Sequence, residues 1–297
     1  MKRNGYFKKI AAGALALTLV FGATGCGGGS SDSSSESELD ALNNYSADHP
    51  VTVKVGLTAA IYEDIWDPIR DELAKEGIDI EYVQFSDYAL PNEALENGEI
   101  NITAQQHHAY MENQCEENGW DDLVAIADTF IIAMNLYSDK IDDVSEFKDG
   151  DTIAIPNDAT NGGRALKLLE SAGLIEFKDG TGANPEIADI ETYNADIEIV
   201  EVNASDTYTV LPDVTAAVIN GNYALDAGIE PDEEAIFYEE SYDSNAYFCV
   251  IGARKDEADC KAYKRIVEAF QSEGTKDIFR NEFKGYFKPA WEYEITE

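Results

Sequence analysis

Basic side chains are scarce in this 297-residue chain: 21 Lys and Arg stand against 59 Asp and Glu, for a formal charge of −38 at pH 7. Binding to a phosphate backbone rests on Lys and Arg that neutralise it, so the imbalance excludes nucleic acid as a partner. Histidine is limited to three residues and cysteine to four, with no C-x-x-C pair, so zinc and redox motifs of that kind are missing. His107 and His108 are adjacent, but His49 lies far upstream and no metal-ligand spacing surrounds them, so no metal is expected. There is no G-x-S-x-G elbow, no P-loop and no G-x-G-x-x-G after a strand. The nearest approach to a catalytic pair, His107 with Cys115, has nothing in the sequence to bring the two together. Neither an enzyme nor a cofactor is expected. Also lacking is any apolar run of the roughly 20 residues a permanent spanning helix requires. Apolar content is not lacking: at 44% hydrophobic and 10% aromatic, the chain can fold despite its charge.

The N-terminal segment reads as an address. Lys2, Arg3, Lys8 and Lys9 precede an apolar run from Ile10 to Phe21, followed by Gly22-Ala23-Thr24-Gly25-Cys26. That order suits a secretory signal over residues 1–25. Small residues before Cys26 resemble a bacterial lipobox, although Ala23 stands where Leu is commonest, and they make Cys26 the expected lipidation site and new N-terminus. An ordinary signal peptide with an incidental cysteine is the alternative. Gly27 to Glu38 holds no apolar residue. Residues 26–49 are therefore expected to be a flexible tether with a reach of roughly 25–30 Å. Cys115, Cys249 and Cys260 remain, an odd number that the sequence cannot pair.

The body alternates strand and helix patterns. Val51–Gly56, Ile78–Val83, Ile100–Ile102, Thr152–Pro156, Ile197–Val202, Ala216–Ile219 and Tyr247–Ala253 read as strands, and Val124–Tyr137 as β-rich. Ile65–Glu76, Leu90–Asn97, Arg164–Ala172 and Cys260–Ser272 read as helices, the first three stopped by Gly77, Gly98 and Gly173. This pattern predicts an α/β fold with largely parallel sheets in two lobes. The polar stretches Ser138–Gly150 and Glu230–Asn245 are the expected crossings, giving lobe I as residues 50–137 plus 233–297 and lobe II as 138–232. Ligands of open α/β sheets sit beyond the carboxyl ends of strands, and a cleft between lobes is a common pocket position.

Three polar segments stand at strand ends: Phe85-Ser-Asp-Tyr88 with Pro91-Asn92, Gln105–Tyr110, and Ile155–Arg164 leading into a helix. A helix N-terminus attracts a carboxylate or phosphate, and Arg164 adds a fork that grips a carboxylate at two points. An Arg in the first turn also opposes the helix dipole. Two readings fit: a ligand clamp, or a helix capped by Asp158 or Thr160 with Arg164 as a solvated charge.

Several stretches together resemble the methionine-binding lipoproteins of the NlpA family, the substrate-binding subunits of methionine ABC transporters. They are Phe85–Leu95, Gln106-His107 with Tyr110, Thr152–Leu166, Ala216–Ala224 and Lys288-Pro-Ala-Trp291. The likeness runs from about Val51 to the C-terminus, and Pro156-Asn-Asp-Ala-Thr-Asn-Gly-Gly-Arg164 is its most specific part. It implies a two-lobed periplasmic-binding-protein-like fold of type 2, closing on an amino acid. It also implies that Arg164 grips the ligand carboxylate and that Asn161 and Asn220 bond its amino and carboxylate groups. Gln106, His107 and Tyr110 would lie along the cleft, with Tyr88 and Phe130 as apolar walls. The expected protein is a monomer anchored through Cys26 at the outer face of the cytoplasmic membrane, or the periplasmic membrane face, delivering methionine to an ABC permease.

The sequence departs from the family at the side-chain wall. Gln105 replaces a usual Phe, Ala109 and Ala133 replace Pro, and Ile132 stands where aromatic or acidic residues are usual. The clamp residues are kept, so an α-amino acid ligand is better supported than methionine itself. Another amino acid, a methionine-containing dipeptide, or a surface adhesin or sensor on the same fold are the alternatives.

Overall fold

The computed structural model describes residues 32–240, 242 and 244–295. The signal segment and Cys26 lie outside the described residues. Two five-stranded sheets organise the chain. The first has the order 78–84, 51–57, 102–107, 249–254, 123–128, and the second the order 198–202, 152–156, 216–220, 134–137, 235–237. In each sheet the first three strands run parallel and the last two join antiparallel. Only the fourth strand of each sheet runs against the other four, so the sheets are largely parallel with one reversed strand.

A strand buried on both faces reads as a near-continuous apolar run, as Ala216–Asn220 does, whereas Val51–Leu57 alternates and leaves Thr52 exposed. Val53, Val55 and Leu57 pack under the helix Ile61–Leu73, whose Tyr62, Ile65, Trp66, Ile69 and Leu73 recur at helical spacing on the buried side. That helix begins four residues before the expected Ile65, and Gly77 ends its continuation in a left-handed conformation at φ 92°. A Cβ there would lie 2.1 Å from the Ser46 carbonyl oxygen, so the stop also requires glycine for space. In the second sheet Ile153, Ile155 and Val218 pack against Ala165, Leu168 and Leu169 of the helix Ala159–Ser171.

Three expectations need correction. The tether does not extend to His49: Asp32–Asn44 is helical, Leu42 is fully buried, and Tyr45 is buried beside the first core. Its few apolar residues pack on a neighbouring element, and a polar average conceals that. The first crossing precedes Met134, because Met134–Tyr137 pairs with Ala217–Asn220 in the second sheet. The return follows Phe237, because Ala235–Phe237 pairs with the same strand. The lobe change therefore falls inside one apolar run, Val124–Tyr137, where no glycine or proline marks it. Cys115, Cys249 and Cys260 are all free thiols, the last two buried.

Candidate functional site

Strand ends bring the site together. His107 ends the strand Ile102–His107, Asn220 ends Ala216–Asn220, and the helix Ala159–Ser171 starts just beyond Thr152–Pro156. All three lie at carboxyl ends of the parallel strands, where a ligand crevice forms.

Asp158 caps the helix, accepting the Asn161 N–H at 2.8 Å. Asn161 and Arg164 are then three residues apart and share a helix face. Gly162 lets this turn sit close to the preceding strand, since a Cβ would come within 2.9 Å of the Pro156 carbonyl oxygen. The capping half of the plainer sequence reading holds, but its solvated charge does not: Arg164 is only 5% exposed. Its Nε and Nη2 donate to Glu239 at 2.7 and 2.5 Å, and Nη2 also donates to the Ile132 carbonyl at 3.0 Å. Burial alone would lower the guanidinium pKa, but the Glu239 carboxylate more than offsets this and holds it above its ordinary value. Tyr242 donates its hydroxyl to Glu239 at 2.9 Å, and the Tyr247 ring lies 4.5 Å from the guanidinium carbon.

His107 is a hinge of the polar network. Its Nδ1 accepts the Tyr110 N–H at 3.1 Å, capping the helix His108–Asn118, so Nε2 carries the proton and faces Asn161 Oδ1 at 3.3 Å. Burial, followed by the Arg164 charge, lowers its pKa to about 3, and the ring is neutral at physiological pH. Asn161 Oδ1 also accepts from Asn220 Nδ2 at 2.8 Å, while its own amide nitrogen donates to Asp158. One side chain thus joins the first sheet to two elements of the second. Tyr88 makes a parallel link: its hydroxyl donates to Asn222 Oδ1 at 2.6 Å, and its ring stacks on Tyr223 at 5.0 Å.

The cavity between these elements has a volume of about 20 Å³ and is lined by Tyr88, Gln106, His107, Tyr110, Asn161, Arg164 and Asn220 among the expected residues. Phe130 is not in the lining. It is 1% exposed and packs edge-on against Phe287 at 4.9 Å, within the first core. Gln106 spends its amide on Asn92, in a reciprocal pair at 2.7 and 2.6 Å, and so ties the helix Leu90–Glu96 to its strand. Among the described residues no cluster of side chains has metal-binding arrangement.

A sequence profile of the NlpA lipoprotein family matches residues 53–291. The chain belongs to this family. It is 36% identical over 246 residues to the D-methionine-binding lipoprotein MetQ of Escherichia coli K12, covering 82% of this chain and 89% of that one. Its fold is similar to protein PG110 of Staphylococcus aureus, with a TM-score of 0.77, 35% identity and coverage of 80% of this chain and 93% of that one. It is also similar to a nutrient-binding protein of Burkholderia cenocepacia bound to methionine, with a TM-score of 0.76, 34% identity and coverage of 80% and 99%. The architecture is accordingly the two-lobed one of these binding proteins.

Within this NlpA-family cavity, sequence reasoning missed Tyr62, Gly221, Asn222 and Cys249 as lining residues, and missed Glu239 as the partner of Arg164. Asn222 was within reach, because it stands two residues after Asn220 in the same strand-to-helix turn. Glu239 sits in an acidic run, Glu239-Glu240, that reads as ordinary surface charge.

Proposed function

We propose that this NlpA-family protein is a lipid-anchored solute-binding protein that captures an amino acid, methionine in the first instance, between its lobes and delivers it to an ABC permease. One observation carries this reading: buried polar atoms without partners converge on a cavity already holding a paired guanidinium. Asn220 Oδ1, Asn222 Nδ2 and both amide atoms of Gln105 lack hydrogen bonds among the described residues, and all three side chains line the cavity. Buried groups of this kind are normally satisfied, so their clustering points to a polar ligand.

The chemistry matches a zwitterion. Nε and Nη2 of Arg164 are committed to Glu239 and Ile132, which leaves Nη1 to meet a carboxylate, with Asn222 Nδ2 as a second donor. Asn220 Oδ1 accepts from the ammonium. Because Glu239 neutralises Arg164, the site suits a ligand whose own charges sum to zero. Tyr62, Tyr88, Tyr110 and Ile132 supply apolar and aromatic surface for a thioether side chain. The names of the MetQ and Burkholderia relatives support methionine as that ligand. Cleft closure through the His107–Asn161 and Tyr88–Asn222 bonds couples capture to permease docking. The basic, apolar and small-residue series before Cys26 supports a lipid anchor there, with the monomeric body at the outer membrane face.

A thermal-shift panel tests the reading on full-length protein refolded to remove co-purified ligand. It uses the common amino acids together with D- and L-methionine and small methionine dipeptides. A ligand at 100 times its dissociation constant adds about 2.7 kcal/mol of stability. A shift with methionine supports the proposal; no shift with any amino acid or dipeptide overturns it.

A further inference from the structure

We infer that the ligand carries an amide group besides its α-amino and α-carboxylate groups, and that Gln105 reads it. The inference rests on the amino-acid reading above and narrows the ligand class.

Gln105 is 3% exposed and lines the cavity, and neither Oε1 nor Nε2 has a hydrogen-bond partner among the described residues. Its neighbour Gln106, equally buried, has every amide function engaged by Asn92 and Thr103. Two adjacent glutamines thus share a strand, one holding the scaffold and the other left unmatched. A buried amide that stays unpaired loses its hydration with nothing in return.

Matching donors to acceptors decides what is missing. A plain zwitterion satisfies Asn220 Oδ1 with its ammonium and Asn222 Nδ2 with its carboxylate. Gln105 remains, with one acceptor and one donor side by side. A thioether sulfur is a weak acceptor and has no donor, so it leaves Oε1 unpaired. An amide offers C=O and N–H together and completes both bonds. The reciprocal Asn92–Gln106 pair next door is the geometry such a match would take.

Placement agrees with chemistry. Gln105 lies two residues before His107 on one strand, roughly 6.5 Å along it. His107 is bonded to Asn161, and Asn161 to Asn220, so the amino-acid end of the ligand is on that side. One strand repeat away is where a side-chain carboxamide, or the peptide bond to a second residue, falls. Both sources present the same group.

Calorimetric titration of refolded full-length protein distinguishes them, with L-methionine, L-glutamine, L-methionyl-L-alanine and L-alanyl-L-methionine as probes. At least one amide-bearing probe is expected to bind tenfold or more tightly than L-methionine, the scale of one unmatched buried polar group. Glutamine as that probe identifies a carboxamide, and a dipeptide identifies a peptide bond. Gln105→Met, nearly isosteric but with neither the amide donor nor its strong acceptor, should lose that advantage, so that the preferred amide probe binds the variant no more tightly than L-methionine does. If L-methionine binds wild type as tightly as the amide probes, the inference fails, and this ranking decides even if the variant does not fold. An amide preference that persists unchanged in folded Gln105→Met also overturns it. If no probe binds, the amino-acid reading fails with it.

Discussion

Arg164 donates from Nε to Glu239 Oε1 at 2.7 Å and from Nη2 to Glu239 Oε2 at 2.5 Å, across 75 residues of sequence. Both side chains are withdrawn from water, and Glu239 is further held by the Met134 N–H at 2.9 Å and the Tyr242 hydroxyl. Such a pair adds little over a well-packed apolar one, but breaking it strands a buried charge. Glu239→Ala is expected to lower the unfolding free energy by about 3–5 kcal/mol, read by urea denaturation. An unchanged midpoint would mean that the guanidinium is accommodated without its partner. Arg164→Ala is expected to abolish amino-acid binding as well, because Arg164 is, among the described residues, the one cationic side chain lining the cavity.

His107 is expected to stay neutral, with the proton on Nε2, from pH 8 down to pH 5. Its folded pKa, near 3, lies below the ordinary 6.5. Between those values the unfolded chain binds a proton that the folded one refuses. The contribution to stability is therefore complete above about pH 6.5 and declines as pH falls toward 3, by about 1.4 kcal/mol per pH unit at most. Ring nitrogen shifts in NMR report this directly, and a His107 titration midpoint near 6.5 would contradict the buried, neutral ring.

Tyr88→Phe removes the hydroxyl that joins the two lobes at Asn222 while keeping the ring stacked on Tyr223. The loss of one such bond is worth about 0.5–1.5 kcal/mol. Binding of the amino-acid ligand should weaken by about two- to twelvefold and the ligand-free protein should be more open in solution scattering. Unchanged affinity would show that closure does not depend on this bond.

Leu42→Ala should destabilise the first lobe by about 2–5 kcal/mol, since Leu42 is fully buried in its core. A chain shortened to begin at residue 32 should melt as the full-length protein does, whereas one beginning at residue 50 should melt lower. Equal melting of the two would return the segment to the role of a tether.

Gly221→Ala places a methyl group 2.4 Å from the Ala133 carbonyl oxygen and from Ile132 Cγ1, where the chain crosses between lobes. Overpacking of this kind costs about 1–3 kcal/mol, and urea denaturation should show that loss without a change in slope.

Much of this was legible in the sequence because it is set by neighbouring residues. Alternating apolar residues marked Val51–Gly56 as a strand, a short apolar run marked Thr152–Pro156, and glycines at 77, 98 and 173 marked helix ends, each with a positive φ. The helix His108–Asn118 escaped notice because its buried residues are few, Tyr110 and Met111, and its cap is a histidine nitrogen. The motif Pro156–Arg164 carried its own cap, turn and guanidinium, so the heart of the site could be named from one stretch of chain.

The pairing of those groups was decided only in three dimensions. That Arg164 meets Glu239, that Asn161 bridges His107 and Asn220, and that Gln105 is left unmatched while Gln106 is not all depend on contacts between residues remote in sequence. Periodicity reports which face of an element is buried, but not what lies opposite that face. Phe130 shows the limit: its apolar character was plain, yet whether it lined a cleft or filled a core depended on Phe287 and Phe279, which arrive from the far end of the chain.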